Sequence, residues 1–118
     1  GIKLIYKPKK EVKMSIQPHQ VKDLIISTYE KIKSLEEKYE ATVEKIKEKF
    51  NQLRPHGKSN LELDRREEHA IEEQKKIYEK ALGKLNDLLK GFQKIREEMI
   101  SDLSLPPETE EYLVSLNL

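Results

Sequence analysis

The chain has no cysteine, no tryptophan, four glycines and seven aromatic residues in 118. Without cysteine there is no disulfide, no thiol nucleophile and no thiolate metal site. No apolar run exceeds three residues, as in Leu24-Ile25-Ile26, far short of the roughly 20 needed for a membrane helix. No signal-peptide pattern is present. Neither sign of charge dominates. There are 23 basic and 22 acidic residues, a net charge of +1, so no global field selects nucleic acid, an anionic membrane or an acidic substrate. A cytoplasmic, intracellular origin is expected.

What the chain has in quantity is charge. Charged residues make up 38% and apolar ones 36%, a balance that suits disorder or a protein with a narrow core stripe. Periodicity decides for the second. From Pro18, which suits a first helical position, apolar residues recur in alternating steps of three and four, with one gap at Glu36 where neighbouring Leu35 takes over: Ile25, Tyr29, Ile32, Tyr39, Val43, Ile46, Phe50, Leu53. That is a heptad seam, and it predicts helix 18–53. The segment Arg54-Pro55-His56-Gly57-Lys58-Ser59-Asn60 breaks it with proline and glycine. Ser59 with Glu62 reads as a capping box for a second helix over 60–103. Its ladder runs through Ile71, Gln74, Tyr78, Ala81, Leu85, Leu88, Phe92, Ile95 and Met99. Pro106 and Pro107 stop this helix and open a third, 107–117, with Glu108, Glu110 and Glu111 where a helix dipole favours them.

The expected fold is therefore all-α: a long antiparallel helical hairpin, coiled-coil-like, with a short C-terminal third helix and an extended N-terminal segment, in one domain. Folding about residue 57 sets Ile25 opposite Leu88, Val43 and Ile46 against Ile71, and Glu40 opposite Glu73. The seam is thin near the turn and wide at the open end, where two helices alone cannot cover it. The third helix, the N-terminal segment or a second protomer must do so.

Residues 1–14 read as an extended basic arm. Ile2–Tyr6 is β-prone, Pro8 ends any strand pairing, and Lys3, Lys7, Lys9, Lys10 and Lys13 follow one another closely. Met14-Ser15-Ile16 reads as a native start, which would make residues 1–13 a tag remnant or fused peptide; Gly1 as the scar of an excised domain is the alternative.

Chemistry is sparse. His19, His56 and His69 lack metal-ligand spacing, and no glycine-rich phosphate loop or nucleophilic triad order is present. Glu37-x-x-Glu40 and Asp64-x-x-Glu67 loosely resemble the paired acidic motifs of all-α nucleotide pyrophosphohydrolases. They lie off the apolar seam, and the hairpin register does not bring the two pairs together. Neither an enzyme nor a cofactor nor a metal is expected. The expected function is a protein–protein interaction or assembly module, docking a partner or self-associating, most simply as a dimer. Leu24, Ile26, Leu89, Phe92, Leu113 and Leu116 would carry the contact. The alternative is a nucleic-acid accessory protein using Lys9 and Lys10 on the arm, or Arg65 and Arg66 at the hairpin tip.

Overall fold

A computed structural model describes residues 17–99 and 103–117. Among these residues three α-helices follow in order: α1 over Pro18–Leu53, α2 over Leu61–Glu97 and α3 over Pro107–Ser115. The two long helices pack against each other as an antiparallel hairpin. No strand occurs among the described residues, and no helix there is long and apolar enough to cross a membrane. The N-terminal arm expected from the sequence lies outside the described residues.

The helix ends follow from their chemistry. At α1, Gln17 N–H donates to Gln20 Oε1 at 2.8 Å, the back-reaching half of a capping box, with Pro18 where no donor is needed. The start of α2 differs from the sequence reading. Asn60, not Ser59, is the cap: its Oδ1 accepts from Leu63 N–H at 3.1 Å. Ser59 instead donates through Oγ to Asp64 Oδ2 at 3.1 Å. The end of α2 also differs. It stops at Glu97 rather than 103, and its last turn tightens through Glu98 N–H to Ile95 O and Met99 N–H to Arg96 O, both 3.1 Å. Leucine periodicity runs on past this point because Leu103 and Leu105 serve the connection to α3, where Leu105 is buried. Helix α3 closes on Asn117 in the left-handed region, φ 64°, a residue type that tolerates that conformation at a helix end.

The chain packs as two compact units. The first, here the terminal unit, comprises among the described residues 17–29, 88–99 and 103–117. Its core is Val21, Ile25 and Thr28 of α1, Leu89 and Gln93 of α2, and Leu105, Thr109 and Leu113 from the α3 side. On each helix these recur at three or four residues, so each contributes one stripe. Helix α3 is too short to persist alone. It is held on α1 by the Tyr29 and Tyr112 rings, 5.5 Å apart and tilted 57°, and on α2 by Arg96.

The second, the hairpin unit, is Glu30–Asp87. Only Ile32 is fully buried there; the other seam residues, including Leu35, Val43, Phe50, Ile71 and Leu85, stay half-buried. Tyr39 stacks on Tyr78 with ring centroids 4.5 Å apart and planes 15° from parallel. Reversal about residue 57 would have put Tyr39 opposite Gln74, so α2 is displaced by about one helical turn. The tip explains the shift. A single 3-10 turn at Pro55–Gly57 carries the chain onward beyond Leu53 before it returns, and the reversal centres nearer Ser59. His56 and Gly57 both adopt left-handed backbone there, φ 54° and 70°, a conformation natural to glycine and costly for histidine.

Gly83 and Gly91 lie within α2, are exposed, and an added Cβ at either meets nothing within 4 Å. Gly83→Ala and Gly91→Ala are each expected to raise stability by up to about 1 kcal/mol, read as a higher urea midpoint at unchanged slope.

Candidate functional site

The six residues expected to meet a partner separate into two groups. Leu89 is 0% and Leu113 2% exposed. Both are spent inside the terminal unit, so neither offers a surface to another molecule as the chain is folded. The physical reason is that α3 docks on the side of α2 that carries Leu89. Leu24 is exposed, and Ile26, Phe92 and Leu116 are half-buried. The ladder residues Leu88 and Ile95, read as core rungs, face outward: Leu88 is 52% exposed. Val114 on α3 is 70% exposed. The wide apolar stripe is thus covered on one side by α3 and left open on the other.

Arg96 was not singled out by its sequence position, yet it ties this unit together. Its Nη1 donates to Gln93 Oε1 at 3.1 Å and its Nη2 to Leu103 O at 2.5 Å. The same Nη2 lies 2.8 Å from Glu110 Oε1. That carboxylate oxygen is buried and takes the guanidinium as an ionic neighbour, out of line for a hydrogen bond. The charge pairing is lopsided: Arg96 is mostly buried and Glu110 half in water, so solvent screens much of the attraction. Gln93 completes the set by donating to Glu97 Oε1 at 3.4 Å.

At the tip, two arginines are engaged in ion pairs. Arg54 donates through Nε and Nη2 to Asp64 Oδ1 at 3.1 and 2.8 Å and through Nη1 to Asn51 Oδ1 at 2.7 Å. Glu67 Oε2 lies 3.3 Å from Nη2. Two carboxylates of the acidic motif therefore serve one arginine across the turn. Arg66 pairs with Glu62 at 2.8 Å in the open. Arg65 is exposed without an ionic partner among the described residues. Lys9 and Lys10 lie outside the described residues.

The hydrogen bond from Arg54, with a smaller one from Ser59, holds the Asp64 carboxyl below its ordinary value of 3.8 against the opposing effect of burial. A depressed carboxylate stabilises the fold fully above 3.8 and loses that contribution as pH falls through its lower folded value. Amide exchange at residues 54–64 should therefore be faster in Asp64→Asn than in the parent above pH 3.8. The gap should close on further acidification. A gap that persists unchanged would show the clamp is not ionic.

Among the described residues no three His, Asp or Glu side chains gather as a metal site. His69 Nε2 and Glu73 Oε1 are 4.0 Å apart on an open helix face. No family model, no curated protein and no solved structure matches this chain. What the fold itself defines is a class: an all-α helical hairpin capped by a short third helix.

Proposed function

We propose that the chain is a non-enzymatic interaction module that docks a partner or pairs with a second copy through the terminal unit. One observation carries this reading. After α3 has docked, Leu24, Leu88, Ile95 and Val114 still stand in water, and on α2 the exposed residues Leu88, Gly91 and Ile95 follow helical spacing along one stripe. The exposed stripe through Leu88 and Ile95 favours contact with another apolar surface. Leu24, Ile26, Phe92 and Leu116 remain as contact residues from the original six, and Leu88 and Ile95 join them.

Light scattering coupled to size exclusion tests the self-association arm. A dimer is expected, reduced to monomer by Leu88→Glu/Ile95→Glu with the helical circular dichroism unchanged. A parent chain that stays monomeric at every concentration and takes up no apolar dye would sink the proposal.

A further inference from the structure

The hairpin unit carries a second surface, separate from the terminal unit and independent of the function proposed above. Between α1 and α2 an open groove of about 440 Å³ has Leu35, Ala81 and Leu85 as its floor. Lys31, Lys38 and Lys84 stand around it, with Ser34 as the remaining wall. It runs on, through Leu35 and Lys38, into a smaller hollow of about 160 Å³ that includes Ile77 and Thr42. Ile77 is 61% exposed. In a chain with 22 acidic residues, none lines either part.

Lys47, Lys75 and Lys76 each pair with a glutamate on their own helix. Lys31, Lys38 and Lys84 have no ionic partner among the described residues. For two of them the sequence forbids one on the helix. Three and four residues from Lys31 stand Ser27, Thr28, Ser34 and Leu35; from Lys38, Ser34, Leu35, Ala41 and Thr42. Lys22 and Lys49 on α1 likewise lack an acidic residue at these spacings, but Lys31 and Lys38 are the two of this kind that stand beside an apolar floor.

We infer that this groove receives a third helix from another protein, apolar along one stripe and acidic along its flanks. The shape favours a helix. Gln74, Ile77, Ala81 and Leu85 follow one another at three and four residues, the ridge that a packed helix interdigitates with. Ser34 and Ala81 are small enough for its backbone to come close. Lys31 and Lys38 are seven residues apart, two turns or ~10.5 Å along α1, so acidic residues at a heptad spacing on the incoming helix match both. A second copy offering the same face would set lysine against lysine, which costs rather than contributes.

The test uses the full chain, labelled with 15N, and a synthetic amphipathic peptide of roughly 20 residues, with leucine at alternating steps of three and four and glutamate on both flanks. The acidic peptide is expected to shift amides of residues 31–42 and 74–85. Lys31→Glu/Lys38→Glu, at exposed positions, should keep the parent's helicity and weaken this binding by about tenfold. The same variant should gain binding to a peptide with lysine in place of glutamate. The inference is overturned if the peptide shifts nothing or shifts only the terminal unit, or if the charge swap changes neither affinity. It is overturned equally if these amides already move with protein concentration alone. The same holds if phosphatidylserine vesicles or duplex DNA give the lysine-dependent shifts and the acidic peptide does not.

Discussion

Leu89→Ala is expected to destabilise the chain by about 2–5 kcal/mol, the usual cost of truncating a leucine in a close-packed core. The side chain is wholly buried in the terminal unit, between stripes contributed by α1 and α3. The spread depends on how far Val21, Ile25 and Leu113 can collapse into the space. The informative control is the next residue. Leu88→Ala removes the same atoms from a side chain that is 52% exposed, and should change stability by only about 0.5 kcal/mol. Urea unfolding followed by circular dichroism separates the two. Equal midpoints for both variants would mean that the stripe through Leu89 and Gln93 is not the core of this unit.

Leu113→Asp is expected to release α3 from the rest of the chain. Burial of this leucine contributes roughly 1.5–3 kcal/mol, and a carboxylate in its place adds a desolvation cost. What remains on α3 itself, the buried Thr109, the Tyr29–Tyr112 contact and the screened Arg96–Glu110 pair, is small beside that sum. A helix of nine residues does not persist without its docking site. Hydrogen exchange should therefore show residues 107–115 losing protection, while residues 30–87 keep theirs, as expected for local unfolding. Protection retained over 107–115 would place the anchor of α3 elsewhere, with Leu105 and Thr109 the next residues to replace.

Much of the fold could be read from the residues because each cue was local. Pro18, the Pro55–Gly57 turn and the Pro106–Pro107 pair mark helix ends by their own backbone chemistry, and the steps of three and four identify the helices between them. What could not be read was decided by partners distant along the chain. Leu88 and Leu89 sit side by side in one wide apolar stripe; only the side on which α3 arrives buries one and exposes the other. Arg54 gains its role from Asp64 and Glu67, ten and more positions away across a turn, and the asymmetry of that turn moves the register by one helical turn. Arg96 was hidden for the same reason, since Leu103 O and Glu110 lie beyond the end of its own helix. The lysine-rimmed groove was partly visible: the lack of acidic residues three and four positions from Lys31 and Lys38 is a sequence fact, but its meaning depends on finding both beside Leu35 and Ala81.

The tyrosine pairs give the molecule a built-in optical label. There are five tyrosines and no tryptophan, and four of the five meet in two ring pairs, Tyr29–Tyr112 in the terminal unit and Tyr39–Tyr78 in the hairpin unit. Tyr78 is further marked by its hydroxyl, whose pKa is pushed above 10.0 by burial, with Glu36 and Glu40 adding to it. Near-ultraviolet absorbance and dichroism, undisturbed by indole, therefore carry a signal from each unit, beside that of Tyr6, which lies outside the described residues. With Phe at Tyr29 or at Tyr39, each signal can be silenced in turn, and the melting of the two units can be timed against each other in a chain that needs no added probe.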